Sequence, residues 1–325
     1  MNKIFQQYCS PKSHKSLEIR GSSLTDGESE YDITNGIPNL IYPKILDEID
    51  KKAQQFYEGR AAAYDEYLHL TFFTFNENES LIRSKMIDLL DLEKESKVLE
   101  VACGTGRDSI LINMRLSPEA ELHITDISLD MLSKAEVKLG KSNAQVYMCL
   151  SNALYLPYPD DYFDAFYSFG AIGEFSDISQ FFKEVVRVCR PGAKVVVGDE
   201  NLPVWLRGTE FGKILSNYNA QFLADVPFSA LPIEARDVNC RWIIGGVFYL
   251  IDFTVGVGEP CANYDFEIPG PRGGTHRTRY EGNLEGVTQD AFRLAHEASR
   301  VSGLSMHQWL SNAVLAAAKK ELNKN

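Results

Sequence analysis

The run Val98-Leu99-Glu100-Val101-Ala102-Cys103-Gly104-Thr105-Gly106-Arg107-Asp108 carries the residue types best suited to ligand chemistry in this 325-residue chain. Its apolar half reads as a strand, and its second half as a small-residue turn opening a helix. Small residues let the backbone approach a ligand closely, and the first helical turn offers free N–H groups. Asp126 ends the next apolar run, 22 residues after Gly104. An acidic side chain at that place accepts both hydroxyls of a ribose. Taken singly, each feature has a plainer reading: the turn as a tight connection, the aspartate as a helix cap. Their order, with the motifs downstream, favours a nucleoside-bearing cofactor.

Those residues need elements to position them. Between 97 and 200, β-rich runs alternate with helical segments, the strand candidates being Lys97–Val101, Glu121–Asp126, Ala144–Leu150, Tyr162–Ser168 and Lys194–Gly198. Such alternation is the signature of an α/β fold with a parallel sheet and crossover helices. Asp237–Ile244 and Val247–Val255 flank Gly245-Gly246, a two-residue loop suited to the positive φ angles of a tight hairpin. The α/β domain, 44–255, therefore closes on an antiparallel hairpin. Its first part, 44–92, is helical in pattern, and a small β-rich module with an Asn35-Gly36 turn occupies 1–43. Residues 256–274 hold five Gly and three Pro and read as a linker or irregular wrap, after which 275–325 resume as a helical module.

Three further motifs follow in order. Ser151-Asn152-Ala153-Leu154-Tyr155-Leu156-Pro157 comes after the third strand, and Tyr162-Phe163-Asp164-Ala165-Phe166-Tyr167-Ser168 makes the fourth. Arg187-Val188-Cys189-Arg190-Pro191-Gly192-Ala193 turns from a helix into the fifth. In this order and spacing, residues 50–255 resemble the class I S-adenosylmethionine-dependent methyltransferases, close to the quinone-biosynthesis type of C-methyltransferase. A nicotinamide cofactor is disfavoured because GxGxxG is absent, with Ala at 102 and Ser at 109.

The resemblance implies a Rossmann-like, seven-stranded, mostly parallel sheet whose last two strands are the antiparallel hairpin. It implies S-adenosyl-L-methionine as cofactor, with Glu100, Ala102, Gly104 and Gly106 at its methionine end. Asp126 and Ile127 would hold ribose and adenine, Asn152 and Ala153 the adenine edge, and Phe169 the pocket floor; Tyr64 and Met131 complete the set. Ala102, Asn152 and Gly192-Ala193 stand where the family commonly has Gly, Asp and Gly-Gly. All are small or isosteric, and the amide oxygen of Asn152 is expected to accept from adenine. The 44–92 segment takes the place of the family's lid, with Tyr57, Tyr64 and Asp65 toward the cofactor.

A sulfonium activates its own methyl, so the protein mainly aligns a nucleophile with the S–CH₃ bond. A base is needed only where the nucleophile arrives protonated. Glu174 after the fourth strand, and Asp199 with Glu200 after the fifth, are the candidates; their plainer role is to cap loop ends. His69 reads as a helix-surface or packing residue.

Composition limits the partners. Apolar residues are 44%, charged residues 24%, and the net charge is −12, values of a folded chain without a broad anion-binding surface. The longest apolar run, Trp242–Ile251, is too short to span a membrane, and the first residues lack a signal-peptide pattern, so a cytoplasmic protein is expected. Six cysteines without a CxxC pair, and six histidines without HxxxH, support neither disulfides nor a metal site. A small-molecule methyl acceptor is favoured. The alternatives are an RNA methyltransferase or a methyltransferase fused to a DNA-binding regulatory module. Against them, residues 1–270 carry 25 basic and 40 acidic side chains, the opposite of a basic RNA track.

The two ends carry weaker resemblances. Tyr8-Cys9-Ser10-Pro11 with Asp32-Ile33-Thr34-Asn35-Gly36-Ile37-Pro38 resembles a small zinc-ribbon-like domain. Cys9 and His14 are too few for a closed zinc site, so packing of Ile33, Ile37, Leu40 and Ile41 is expected to hold the module. At the other end, Thr275–Tyr280 alternates like a strand, Thr288–Ser302 and 305 onward read as helices, and Ser305-Met306-His307-Gln308 as a capping box. Together they resemble ribbon-helix-helix modules, which implies a homodimer through paired strands. Arg277 and Arg279 would share one face of the ribbon, with Glu281 on that face and Glu285 nearby. The second helix is expected to bury Met306, Trp309, Leu310, Ala313, Val314 and Ala317.

Overall fold

The structure is a computed structural model describing residues 5–281 and 287–323. Its chain divides into two compact units, Met1–Glu259 and Pro260–Asn325. In the first, four short antiparallel strands come before the α/β core: β1 (Glu18–Arg20), β2 (Ser23–Thr25), β3 (Glu30–Thr34) and β4 (Ile37–Pro38). Asn35 and Gly36, at φ 53° and 83°, make the turn between the last two. Leu40 and Ile37 are buried, and Ile33 and Ile41 pack partly buried against the core. Among the described residues no three His, Cys, Asp or Glu side chains gather as a metal site.

Helices α1 (Glu48–Tyr57), α2 (Ala61–Tyr67), α3 (His69–Thr74) and α4 (Glu79–Asp88) precede the large sheet. Its elements are β5 (Lys97–Val101), α5 (Arg107–Asn113), β6 (Glu121–Asp126), α6 (Leu129–Leu139), β7 (Gln145–Leu150), β8 (Phe163–Phe169) and α7 (Ile178–Val188). Then come β9 (Cys189–Glu200), α8 (Glu210–Tyr218), β10 (Ala235–Ile243) and β11 (Phe248–Val255). The strand order is β10-β11-β9-β8-β5-β6-β7, with β11 antiparallel to β9 and β10 and the other pairs parallel. This is the expected α/β sheet with its closing hairpin. The largest boundary change is in β9, which begins at Cys189, so Pro191-Gly192 lies within an irregular start of the strand, where the β8 register shifts.

Alternation along β5 puts Leu99 and Val101 into one apolar cluster and Val98 into the other. On the first face Phe181, Phe182 and Val185 of α7 pack together with Leu24 and Leu40 of the N-terminal strands. On the second, Met86, Ile112 and Leu132 supply α4, α5 and α6. Both faces of a parallel sheet are thereby covered, as its apolar strands require. The N-terminal module also reaches the sheet edge, where Leu40 N donates to the Leu150 carbonyl at 2.9 Å, at the end of β7.

The second unit departs from expectation. His276–Glu281 is a helix, α9, not a strand. The Thr275 hydroxyl caps it by accepting from Thr278 N at 3.1 Å, and this local cap prevails over the alternating pattern. Arg277 and Arg279 are then about 200° apart around a helix rather than on one ribbon face, and Arg277 lies 4.0 Å from Glu281 one turn on. Glu285 lies outside the described residues. Next come α10 (Gln289–Ser302), closed by Gly303 at φ 68°, and α11 (Met306–Leu322), opened by the Ser305/Gln308 capping box. The expected burial along α11 fails. Leu310 and Val314 are 41% and 44% exposed, Ala317 is exposed, and Met306, Trp309 and Ala313 are only half-buried. Two helices have too little surface to enclose a core.

Candidate active site

The turn after β5 sets the geometry. Ala102, Gly104 and Gly106 all take left-handed backbone conformations, at φ 55°, 52° and 78°. For Ala102 that costs roughly 1 kcal/mol, since a Cβ crowds the following carbonyl. Cys103 N donates to the Thr125 carbonyl at 3.0 Å, holding the turn against β6. Asp126 completes the tie: its Oδ2 accepts from Gly104 N at 2.8 Å and its Oδ1 from Ser128 N at 2.9 Å. Burial pushes this carboxyl up to about 6 against those two donors.

A cavity of about 310 Å³ opens at the carboxyl ends of the parallel strands. Glu100, Ala102, Gly104, Asp126, Ile127, Met131, Asn152, Ala153 and Phe169 line it, together with Tyr64 from α2 and the three candidate bases, Glu174, Asp199 and Glu200. Gly106 does not. A Cβ there would meet the Ala135 Cβ at 2.9 Å, so its lack of a side chain lets α5 and α6 close on each other.

Asn152 Oδ1 accepts from Leu154 N at 3.0 Å and its Nδ2 donates to Asp50 at 3.3 Å, which ties its loop to α1 and leaves one acceptor and one donor position on the amide. Glu100 is buried and accepts from the Ser109 hydroxyl at 2.5 Å. Burial and the neighbouring Asp108 raise its carboxyl well above the usual range.

Helix α1 lies along the strand ends. Gln54 Nε2 donates to the Ile127 carbonyl, Asp50 accepts from Ser176 N and Oγ at 3.0 and 2.9 Å, and Tyr57 OH donates to Glu174 at 2.9 Å. The edge of the Tyr64 ring lies 3.8 Å from where a Cβ on Gly104 would sit. Next to it, Asp65 accepts from Thr105 Oγ1, Arg107 Nε and Lys138 Nζ, which clasps α2 to the turn. His69 is exposed, bonded to the Glu66 carbonyl, and not a wall of the cavity.

Three further carboxyls converge on the cavity. Asp199 is buried, with Gly173 N and Glu200 N donating to it at 2.6 and 2.8 Å. Glu200 accepts from Asn219 Nδ2 at 2.6 Å. Burial raises all three, Asp199 to about 6, Glu200 to about 7 and Glu174 upward, and mutual repulsion adds to the last two. Phe72, Phe169, Phe175 and Phe248 line the same cavity.

Sequence reasoning passed over Asp50, Arg83, Asn219 and Gln221, all cavity walls. Arg83 had a signal: a lone cation beside Ile82, Met86 and Ile87 on the apolar face of α4.

The raised carboxyls make stability depend on pH. A carboxyl whose folded pKa exceeds its unfolded value contributes stability that is fully present below the unfolded pKa and lost as pH rises through the folded one. For Glu200 the loss runs from about pH 4 to about 7. Glu200→Gln should therefore raise the melting temperature, relative to the parent, more at pH 8 than at pH 5. An equal difference at both pH values by scanning calorimetry would contradict this.

Residues 98–192, which hold most of these walls, match the Methyltransferase domain family. The demethylmenaquinone methyltransferase of Bacillus licheniformis is 33% identical over 121 residues, 37% of this chain and 52% of that protein. That of Listeria welshimeri is 27% identical over 160 residues, 48% of this chain and 66% of that protein. The chain thus spans about half to two thirds of the length of these relatives. Among solved structures, the phosphoethanolamine N-methyltransferase 2 of Haemonchus contortus, in complex with S-adenosyl-L-methionine, gives a TM-score of 0.49 at 12% identity, covering 67% of this chain and 62% of that one. The likeness to methyltransferase domains thus runs from β5 into β9.

Proposed function

We propose that the chain is an S-adenosylmethionine-dependent methyltransferase acting on a small-molecule acceptor. The observation that carries this reading is one cavity at the strand ends whose walls bring together a left-handed small-residue turn, the Asp126 carboxylate and three further carboxyls. The walls suit the cofactor. Thr125 Oγ1 and Ser151 Oγ are buried without a hydrogen-bond partner, and both residues border the cavity beside Asp126 and Asn152. Such orphaned hydroxyls are rare unless a ligand or water completes them.

In this reading Asp126 keeps acceptor capacity for ribose hydroxyls beyond its two backbone donors. Ile127, Met131 and Ala153 give the adenine an apolar slot, Asn152 shapes that slot through its loop, and Glu100, Ala102 and Gly104 face the methionine end. Bound S-adenosylmethionine supplies an electrophilic methyl group. Tyr57 and Tyr64 cover the cavity and exclude water, while Phe169 and Phe248 align the acceptor. Glu174 or Asp199, or Glu200 beside them, takes the proton of an acceptor that arrives protonated. Carboxyls lifted toward neutrality suit that task better than ordinary ones.

The relatives' name suggests a quinone-type ring as one acceptor, and the phenylalanine walls suit a flat ring. The RNA reading is weaker, because seven carboxylates and two arginines line the cavity. Six free cysteines, four of them buried, suit a reducing compartment such as the cytoplasm. We also propose that the second unit pairs two chains through α10 and α11 rather than through strands. Among its described residues no apolar side chain is buried, while Phe292, Val301 and Leu315 are more than half exposed.

Asp126→Ala should weaken S-adenosylmethionine binding by about 1.5–3 kcal/mol, the worth of a hydrogen bond to a charged group. Unchanged affinity in titration calorimetry, or tight NAD binding instead, sinks the assignment. Removing everything after Gly274 should turn a dimer into a monomer by light scattering; the same state before and after removes the pairing.

A further inference from the structure

Seven carboxyls line the cavity, and the protein itself accounts for four of them. Asp108 pairs with Arg83, Asp126 accepts from two backbone N–H groups, Asp50 from Ser176, and Glu100 from Ser109. Glu174, Asp199 and Glu200 differ. Their partners are the Tyr57 hydroxyl, two backbone N–H groups with the Gln221 amide, and the Asn219 amide, respectively. Among the described residues no lysine, arginine or histidine pairs with any of the three, and the two arginines of the walls are engaged by Asp65, Glu79 and Asp108. Carboxylates drawn out of water beside one another lack a countercharge here, which is a costly arrangement. Nor do three such groups gather tightly enough, among the described residues, to hold a metal ion. Apolar rings stand beside them instead: Phe248 is the cross-strand neighbour of Glu200, Phe169 lies 5.8 Å from Phe248 ring to ring, and Phe175 follows Glu174. That the cavity receives a ligand stands on separate ground, since Thr125 and Ser151, 1% and 3% exposed, border it with hydroxyls that have no partner.

We infer that the methyl acceptor is an amine that arrives protonated, its ammonium among Glu174, Asp199 and Glu200 and its apolar skeleton against Phe169, Phe175 and Phe248. The inference rests on reading the cavity as a site of methyl transfer from S-adenosylmethionine. An ammonium supplies the countercharge that the three carboxyls lack, and the ring faces attract it as well. A neutral or anionic acceptor leaves that charge unbalanced, and an anionic one adds to the repulsion. The transfer balances. The ammonium gives a proton to one of the carboxylates, and the freed nitrogen lone pair forms the N–CH₃ bond. The C–S bond breaks with its electron pair left on sulfur, so the positive charge passes from sulfur to nitrogen and the product remains a cation. Asn219 and Gln221 are positioning residues in this arrangement, since their amides hold Glu200 and Asp199 from the side of α8.

The test is titration calorimetry of the full chain, first with S-adenosylhomocysteine and then, with that ligand saturating, with three probes. The probes are 2-phenylethylamine, its neutral counterpart 2-phenylethanol, and hydroquinone as a flat ring without an amine. The amine should bind at least about tenfold more tightly than the alcohol and than hydroquinone, the worth of a hydrogen bond to a charged group. Replacing both glutamates, Glu174→Gln with Glu200→Gln, keeps their shape and removes their charge. That variant should bring the amine within about threefold of the alcohol. Where it does not fold, as judged by circular dichroism, either single substitution decides by narrowing the same preference. An amine that binds no better than the alcohol or hydroquinone, or does not bind at all, overturns the inference, as does a preference that survives the substitutions. In those cases bound S-adenosylhomocysteine leaves the cofactor reading standing. A parent protein that does not bind S-adenosylhomocysteine defeats that reading itself, and this inference with it.

Discussion

One carboxylate holds the strand ends in register for chemistry. Asp126 sits where β6 stops, and it bonds to the turn after β5 through Gly104 N and to the start of α6 through Ser128 N. Without that tie, the left-handed turn at 102–106 would have only the Cys103 N–Thr125 O bond to fix it against its neighbour strand. The arrangement is costly on two counts, since a carboxylate is buried and Ala102 occupies a conformation better suited to glycine. Backbone strain and a desolvated charge meet at one point, as functional sites tend to arrange them.

Around that point, one short helix gathers three loops. Residues of α1 reach Ile127 after β6, Asn152 after β7, and Glu174 and Ser176 before α7. The loops assigned to ribose, adenine and acceptor therefore share one cover. Tyr57 links it to Glu174, and Asp50 links it to Asn152 and Ser176. Just before the loop after β7, the bond from Leu40 N to the Leu150 carbonyl gives the N-terminal module a share in positioning the cavity walls.

The sheet and its closing hairpin were legible because their signals are local: apolar runs of strand length, a small-residue turn, and Gly245-Gly246 between two β runs. The helix boundaries of α10 and α11 were legible for the same reason, with Thr288, Ser305 and Gly303 acting as caps. What was not legible depends on distance along the chain. Asp50 finds Ser176 more than a hundred residues away, and no spacing rule announces such a pair. Asn152 was read by its capacity to accept, and its bond from Leu154 N, two residues on, was not part of that reading. Thr275 likewise capped a helix where alternation suggested a strand. At Thr275 the nearest unsatisfied backbone group won over the more distant strand pairing.

The claim on which the rest stands is that the cavity beside Asp126 is a nucleoside site. A crystal structure of the full chain grown with S-adenosylhomocysteine tests it most directly. Ribose hydroxyls within about 2.6–3.2 Å of the Asp126 carboxylate, with the adenine beside Ile127 and Ala153, are the predicted result. Ligand density elsewhere on the protein, or a ribose turned away from Asp126, would contradict it.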